Sequence, residues 1–476
     1  MSESKKNSRR RFVKNLAASS LIAGGGAISL LAENKKIEHI RARKTYQTND
    51  QVNLGIIGMG IMGFNNAKTA TKVPGVKLVA ACDLYQGRLA RTQEVFGKDV
   101  FTTRNAEELL DRDDIDAVVI ATSDHWHQKL SIAAMEKGKA VYCEKPVVQK
   151  FEEGQALLET QKQTGKVLQV GSQRVSSIVS QKAQDLYHQG AIGELIMVES
   201  WIDRYSPMGA WQYSIPRDAS PETVDWETFV GHTPKRPFDA TRFFRWRNYQ
   251  DYGTGVPGDL FVHLFSGMHF VTKSLGPNRI YATGGLRYWK DGRDVPDVVI
   301  GSYDYPQTEH HSAFNLQMRV NLIDGSGGSS MIRFVGSEGV MTLAYNSVKI
   351  ENKVLDPHPG YGGWDSYATF SKNAQKEYEE WYKNEYPPVR ARIEPGDMEF
   401  KAPKGYSDHL DHHTIFFDAV RNNSPIVEDA AFGLRAGGPA VATNVSYFEK
   451  RVVNWDPQNM TEAGNTSKKK KRKQKI

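Results

Sequence analysis

The stretch VNLGIIGMGIMG, residues 52–63, decides the fold of this chain. Its first half is a short apolar run of the kind that forms a buried strand. Its second half places Gly58, Gly60 and Gly63 at the spacing of a turn that leads a strand into a helix and binds a dinucleotide. Gly58 permits the tight turn, Gly60 lets the backbone approach a pyrophosphate, and Gly63 lets the helix pack on the strand.

An acidic residue downstream completes this pattern. Asp83 lies 20 residues beyond Gly63. A carboxylate at that position accepts hydrogen bonds from the adenosine ribose and repels a 2′-phosphate, so NAD is predicted and NADP is disfavoured. Arg88 lies nearby and weakens this preference. The helix end offers its amides to the phosphates, and the residues expected to contact the cofactor there are Gly58, Met59, Gly60, Ile61, Met62 and Gly63.

The alternation of apolar runs and amphipathic segments after this turn predicts a parallel sheet covered by helices on both faces. We expect strands at residues 77–82, 116–122, 140–143 and 167–170. We expect helices at residues 87–96, 127–137 and 151–164. The first domain is therefore predicted to be an α/β Rossmann domain.

The rest of the chain has a different pattern. In residues 313–320 apolar and polar side chains alternate strictly, which is typical of a sheet with one packed face and one exposed face. Further strands are expected at residues 194–201, 279–283, 298–305 and 331–335, and closing helices at residues 409–421 and 428–451. This predicts an α+β domain with a large, mostly antiparallel open sheet. Residues 202–256 form an aromatic-rich insertion, and residues 352–408 are expected to be irregular.

The length of 476 residues suits two domains. The predicted segments are a signal at 1–32, a linker at 33–50, a nucleotide-binding domain at 51–171, a substrate and oligomerisation domain at 172–456, and a disordered basic tail at 457–476. Residues 468–476 and the signal contribute +7 and +5 to a formal net charge of +7, so the rest of the chain carries −5. A body of that charge does not predict nucleic-acid binding.

The amino terminus has the pattern of an export signal. Residues 8–14, SRRRFVK, contain an arginine pair, a spacer, a phenylalanine and a lysine, and a weakly apolar stretch follows at 16–32. That stretch is too short and too weakly apolar for a membrane-spanning helix. It predicts export by the twin-arginine route, to the periplasm or beyond, without stable membrane insertion. Free nicotinamide cofactor is scarce there, so the cofactor is expected to be tightly bound.

Several further motifs resemble one family. The run ATSDHWH at 121–127 and the tripeptide Glu144-Lys145-Pro146, together with the glycine turn, are similar to the Gfo/Idh/MocA family. That family includes glucose–fructose oxidoreductase, inositol dehydrogenase and the rhizopine enzymes. The resemblance covers the first domain well and continues in patches at residues 171–174, 258–263, 335–339 and 412–421.

The resemblance implies the catalytic residues. In this family the lysine of the Glu-Lys-Pro motif touches both nicotinamide and substrate, which assigns that role to Lys145, with Glu144 beside it. The family's Asp and His four residues apart would be Asp259 and His263, which share one helix face. The positive end of that helix favours an ionised Asp259 and a neutral His263 able to accept a hydroxyl proton.

Other binding residues are expected around this centre. The resemblance implies further cofactor contacts at Thr122, Ser123, His125, His127, Glu144 and Gln173. Substrate contacts are expected at Lys145, Arg174, Arg245, Asp259 and His263. The histidine pairs are adjacent in sequence rather than spaced as zinc ligands are, and no metal site is predicted.

These observations predict an oxidoreductase that acts on a hydroxyl of a sugar, polyol or glycoside with tightly bound NAD. An alternative is an NAD-dependent glycoside hydrolase, which oxidises its substrate transiently, cleaves it by elimination and shows no net redox change. A third reading is a sugar sensor that binds the cofactor without turnover. A homo-oligomer, a dimer or tetramer, is expected through the exposed face of the second sheet.

Overall fold

The computed structural model describes residues 50–353, 355, 358–386 and 397–464. The predicted export signal and nearly all of the linker lie outside these residues. Two sheets organise the described chain, one of six strands and one of ten. Within these ranges, no helix combines the length and the apolar character needed to cross a bilayer.

The first sheet is the predicted Rossmann sheet. All its strands are parallel, in the order β3-β2-β1-β4-β5-β6. The strands are β1 (Val52–Ile57), β2 (Val76–Cys82), β3 (Phe101–Thr103), β4 (Ala117–Ile120), β5 (Ala140–Cys143) and β6 (Leu168–Val170). The strand order reverses between β1 and β4, and such a switch point leaves a crevice at the carboxyl ends of the strands.

The helices of this domain also follow the sequence pattern. They are α1 (Ile61–Ala70), α2 (Gln86–Phe96), α3 (Ala106–Leu110), α4 (His127–Glu136) and α5 (Gly154–Thr164). The short elements β3 and α3 are absent from the sequence prediction. They are too short, at three and five residues, to show a periodic sequence pattern. Their position is set instead by β2, with which β3 pairs.

The second sheet is large and mostly antiparallel, as predicted. Its order is β14-β13-β12-β11-β7-β10-β9-β8-β15-β16, and only β7 and β10 run parallel. The strands predicted are β7 (Leu195–Asp203), β8 (Arg279–Gly285), β9 (Val298–Tyr305), β10 (Phe314–Asn321) and β11 (Ser329–Gly336). The strands that were not predicted are β12 (Gly339–Leu343), β13 (Ser347–Asn352), β14 (Met398–Lys401), β15 (Val453–Asp456) and β16 (Thr461–Glu462).

Helices cover one face of this sheet. They are α6 (Ile178–His188), α9 (Val262–Thr272) and α12 (Ala430–Glu449), and α11 (Asp408–Asn422) lies between the domains. The alternating residues of β10 bury Phe314, Leu316, Met318 and Val320 and expose the polar residues between them. The other face of β10 is therefore open to solvent.

Three segments contain elements that the sequence analysis did not predict. The region expected to be irregular contains β14 and a helix, α10 (Lys372–Glu385), none of whose residues is buried. The insertion contains two short helices, α7 (Trp226–Val230) and α8 (Ala240–Phe244). Residues 457–464, which were placed in the basic tail, include β16 paired with β15, and residues 465–476 lie outside the described chain.

The two closing helices complete the core of the first domain. Phe416 and Phe417 of α11 are fully buried beside Leu54 and Ile56 of β1. On the other face of the first sheet, Leu434 of α12 packs with Val170 and Leu157. The Rossmann sheet therefore depends on residues from the far end of the chain for its hydrophobic core.

This arrangement predicts that Phe417→Ala destabilises the whole protein by about 3–5 kcal/mol, because it leaves a cavity in the first domain. Urea unfolding followed by tryptophan fluorescence measures this change. The matched control is Phe448→Ala on α12, where the ring is 40% exposed. Equal unfolding midpoints for the two variants would show that α11 does not support the first domain.

Candidate active site

A cavity of about 440 Å³ lies at the carboxyl ends of the first sheet, between the two domains. The glycine turn and the loops after β2, β4 and β5 form one side. The insertion and the start of α9 form the other. The sequence-predicted residues that line the cavity are Gly58, Gly60, Ile61, Met62, Asp83, Thr122, Ser123, His127, Glu144, Lys145, Gln173, Asp259 and His263.

The glycine turn has the geometry that a diphosphate requires. Gly58 has a φ of +94°, and a Cβ there would meet the Ala121 carbonyl oxygen at 2.6 Å. A Cβ on Gly63 would lie 2.0 Å from the Gly58 carbonyl oxygen. At Gly60 the closest atom to such a Cβ is 3.9 Å away, on Arg88. Helix α1 begins after Gly60 without a side-chain cap among the described residues, so its first-turn amides are suited to phosphates.

Asp83 holds the turn in place. One carboxylate oxygen accepts a hydrogen bond from the Met59 amide at 2.7 Å, and the other accepts one from the Tyr85 amide at 2.9 Å. Arg88 lies 3.4 Å from this carboxylate and stacks over the rings of Phe243 and Phe244 from the insertion. Met59 and Gly63 do not line the cavity. They support the turn from its buried side, through the Met59–Asp83 hydrogen bond and the close packing of Gly63 against Gly58.

Lys145 joins the two domains at the floor of the cavity. Its ammonium donates to the carbonyl oxygen of Asp259 at 2.6 Å and to the carboxylate of Asp259 at 2.9 Å. The Lys145 and Asp259 side chains are only 10% and 8% exposed. Arg247 contacts the same carboxylate at 3.2 Å and stacks on Trp246. Asp259 therefore fixes two cations inside the cavity.

Asp259 stands in a π-helical turn, Pro257–Phe261, that leads into α9. Such turns often occur at functional sites. Burial favours a neutral carboxyl, yet the Lys145 ammonium and the Arg247 guanidinium lower the pKa of Asp259 far below its ordinary value. The sequence predicted an ionised Asp259, and the main cause is these two cations rather than the helix end.

His263 stands one turn beyond Asp259 and lines the same cavity. Burial lowers its pKa well below the ordinary value of histidine. Nearby cations lower the pKa further, and they are Lys145, Arg174 and Arg204. The imidazole is therefore neutral at neutral pH, as the sequence predicted, and a neutral imidazole is able to accept a proton.

Glu144 is positioned by residues that the sequence did not indicate. Its carboxylate accepts a hydrogen bond from the Asn66 side chain at 2.9 Å, and the Asn66 oxygen lies 3.2 Å from Nε2 of His413. The His413 ring stacks on Tyr142 with centroids 4.6 Å apart. This chain of contacts runs from α11 through α1 to the loop that carries Lys145, so only the folded structure reveals it.

The loop after β4 has two histidines with different surroundings. One lines the cavity and the other contacts the insertion. His127 lines the cavity, and its ring nitrogens face the carbonyl oxygens of Pro146 at 2.7 Å and Thr122 at 3.2 Å. His125 does not line the cavity. Its ring nitrogens face the carbonyl oxygens of Phe229 and Tyr252 in the insertion, at 2.9 and 3.2 Å. Burial lowers the pKa of His125 to about 4, and its interactions attach the loop to the second domain.

Two of the predicted substrate residues also lie outside the cavity lining. The Arg174 guanidinium stacks over Tyr345 at 5.3 Å. Arg245 donates to the Tyr213 carbonyl oxygen at 2.8 Å and to the Gln212 side chain. Other residues of the insertion line the cavity instead, and the sequence analysis assigned no role to them. They include Arg204, Trp211, Tyr213, Trp246 and Arg247. The aromatic-rich composition of the insertion was the only signal for them.

Comparison with known proteins identifies the family. The model of the "Oxidoreductase family, NAD-binding Rossmann fold" matches residues 52–172. A glycosyl hydrolase family 109 protein of Porphyromonas gingivalis is 31% identical over 394 residues, which are 80% of this chain and 78% of that protein. This chain belongs to the Gfo/Idh/MocA family of oxidoreductases. Its first domain is an NAD-binding Rossmann domain, as the glycine motif predicts.

Other Gfo/Idh/MocA relatives match over a shorter part or at lower identity. The scyllo-inositol 2-dehydrogenase (NAD(+)) of Bacillus subtilis is 35% identical over 147 residues, 31% of this chain and 43% of that enzyme. A levoglucosan dehydrogenase in complex with NADH and levoglucosan superposes with a TM-score of 0.60 at 17% identity, over 85% of this chain and 99% of that one. The latter confirms the two-domain fold.

The crowding at Gly63 predicts the effect of Gly63→Ala. The new methyl group forces the turn apart, and the loss of one or more amide–phosphate hydrogen bonds weakens NADH binding about tenfold or more. Titration of NADH fluorescence measures the change. Gly325→Ala is the control, because nothing lies within 4 Å of a Cβ at that exposed position. Wild-type affinity in Gly63→Ala protein would exclude this turn as the phosphate site.

Proposed function

We propose that this protein oxidises a hydroxyl-bearing carbon of a sugar, polyol or glycoside, using tightly bound NAD. The observation that carries the proposal is the convergence of Lys145, Asp259 and His263 in one cavity with the glycine turn. A cation, a carboxylate that fixes it and a neutral imidazole are the groups that alcohol oxidation requires.

NAD, when bound, supplies the hydride acceptor. The residues present fit it, because the uncapped start of α1, the open approach at Gly60 and the Asp83 carboxylate suit its phosphates and ribose. His263 accepts the proton of the reacting hydroxyl. Lys145 places its ammonium where negative charge develops on that oxygen, and Asp259 holds the ammonium there.

A carbohydrate substrate fits the other half of the cavity. Tyr213 and Trp246 provide aromatic surfaces, and Lys145 and Arg247 provide donors for hydroxyl oxygens. Relatives of this chain include enzymes named for inositol and a structural neighbour bound to levoglucosan. These names support a polyhydroxylated substrate.

A second candidate is NAD-dependent glycosidic cleavage. It is favoured by the similarity over 80% of this chain to a protein named as a glycosyl hydrolase. Oxidation of one carbon acidifies the C–H bond next to it, elimination then breaks the glycosidic bond, and water addition and reduction restore the sugar and the cofactor. The same groups, Lys145 and His263, would handle the hydroxyl proton in both candidates.

We further propose export by the twin-arginine route, on the pattern of residues 8–14. Replacement of Arg9 and Arg10 by lysine should then leave the protein in the cytoplasm, as cell fractionation reports.

We also propose homo-oligomerisation through the open face of the second sheet, where Tyr281 and Ile300 are 50% and 45% exposed. An unchanged molar mass in light scattering of the Ile300→Glu variant, relative to wild type, would contradict that assembly.

Lys145→Ala and His263→Ala should each lower kcat by about 100-fold or more, because each removes a proton-handling or charge-stabilising group. Bound NAD should be retained in His263→Ala, as the nucleotide released on denaturation reports. Arg217→Ala on the exposed surface of the insertion is the control. Near-normal rates in both cavity variants would remove the catalytic assignment.

The lowered pKa of His263 predicts the acid limb of the pH profile. The base acts in its neutral form, so kcat/KM is lost as pH falls through that pKa. Since burial places the pKa below the ordinary value of about 6.5, activity should persist on the acid side of pH about 6.5. A limb at or above that pH, in protein that stays folded by circular dichroism, would contradict a neutral His263 base.

A panel of glycosides incubated with the native protein, without added cofactor, decides between the two candidate reactions. Reduction of an added electron acceptor together with an oxidised sugar selects the dehydrogenase. Free sugar without acceptor reduction selects the glycosidase. The Lys145→Ala variant serves as the blank in both assays. If the protein holds NAD but converts no glycoside of the panel, the result would favour a sugar sensor.

A further inference from the structure

We infer that the substrate is an acidic sugar, whose carboxylate is bound by Arg204 in the cavity. The inference rests on the proposed function and names the substrate class of the same site. It derives from the pairing of three cations that line the cavity. Lys145 and Arg247 each contact the Asp259 carboxylate, and Arg204 contacts no carboxylate of the described residues.

Asp259 contacts two of these three cations, both through one oxygen of its carboxylate. Lys145 contacts its carboxylate at 2.9 Å and Arg247 contacts the same oxygen at 3.2 Å. Arg204 forms no ion pair with any residue in the described ranges. A cation inside a cavity is stable when it is paired or hydrated, and the half-buried Arg204 is available to pair with an anion that enters the cavity.

The acidic residues near Arg204 are committed elsewhere. Asp203, next to it in sequence, pairs with Arg319 at 2.8 Å. The Glu144 carboxylate accepts a hydrogen bond from the Asn66 side chain. The Asp124 carboxylate accepts hydrogen bonds from the backbone amide and the hydroxyl of Thr254, at 2.9 and 2.6 Å. None of these carboxylates contacts the Arg204 guanidinium within the part of the chain described.

Arg204 is held in place by its backbone and one end of its side chain. It follows β7 directly, its amide donates to the Asn321 carbonyl oxygen at 2.8 Å, and Nη1 donates to the Gly209 carbonyl oxygen at 2.9 Å. Nε and Nη2 form no hydrogen bond within the described ranges. Two donors on one planar guanidinium match a carboxylate, which binds both at once.

The bound cofactor does not account for this cation. The phosphates belong at the glycine turn, and the arginines that line the adenosine end of the cavity are Arg88 and Arg104. Arg204 instead acts on the catalytic residues, because it is among the cations that lower the pKa of His263 and of Asp259. Its anion is therefore a group of the substrate, close to the reacting hydroxyl.

The wall beside Arg204 suits a sugar ring. Trp211 is 1% exposed and holds a left-handed backbone with a φ of 63°, a strained conformation that is often found at functional sites. Tyr213 lines the cavity two residues further on. A pyranose ring stacked on Tyr213, which the buried Trp211 supports, would present a C5 carboxylate at its edge, where a guanidinium binds it.

The test compares matched pairs of ligands on the NAD-loaded protein. The methyl glycosides of glucuronic, galacturonic and mannuronic acid are titrated calorimetrically against those of glucose, galactose and mannose, at low ionic strength. At least one acid should bind about tenfold or more tightly than its neutral partner, since it gains a charged bidentate hydrogen bond. Added salt should reduce that preference.

Variants locate the anion site. Arg204→Gln should remove most of the preference for the acid, and Arg204→Lys, which keeps the charge without the fork, should retain part of it. Arg217→Gln, the same change on the exposed surface of the insertion, should leave the preference intact. Equal NADH affinity in all variants confirms that the fold is preserved.

The inference is overturned if every neutral glycoside binds as well as its acid, if no acid binds at millimolar concentration, or if Arg204→Gln keeps the full preference. A protein that oxidises neutral sugars at least as well as acids would overturn it and leave the proposed oxidoreductase function standing. A protein that takes up no NAD would overturn the proposed function, and the same titrations on the NAD-free protein would still show whether Arg204 binds a sugar carboxylate.

Discussion

The contact between Lys145 and Asp259 is the interaction on which the site depends. Lys145 follows the last residues of β5 in the Rossmann domain, and Asp259 belongs to the π-helical turn of the second domain. Both side chains are nearly buried, and removal of one partner from such a pair leaves an uncompensated charge that costs about 3–5 kcal/mol. One contact therefore joins the domains, orients the ammonium and, together with Arg247, keeps Asp259 ionised.

The Rossmann domain could be predicted from the sequence because its signals are local. The strand β1, the glycine turn and Asp83 lie within about thirty residues, and each glycine has a steric reason that applies wherever the motif occurs. The strands β12 to β16 carry no comparable signal. They pair with neighbours distant in sequence, and short strands at a sheet edge show little periodicity.

The site could be predicted in part for the same reason. Lys145 and His263 stand in recognisable patterns, but Arg204, Arg247 and the Asn66–His413 contact reach the cavity only when distant segments meet. His125 shows the opposite error. It lies in a family-like run, yet its ring faces carbonyl oxygens of the insertion, because the insertion approaches the loop in a way that sequence spacing does not reveal.

Residues of the insertion line the cavity at both ends, with Phe243 and Phe244 near Asp83 and Arg247 near Lys145. The account is tested most directly by reduction of bound NAD in a single turnover of Asp259→Asn protein. The account predicts that the variant retains the nucleotide while the rate of reduction by an accepted sugar falls about 100-fold or more, because the Lys145 ammonium is no longer fixed. Wild-type reduction rates in a folded, NAD-loaded variant would contradict it.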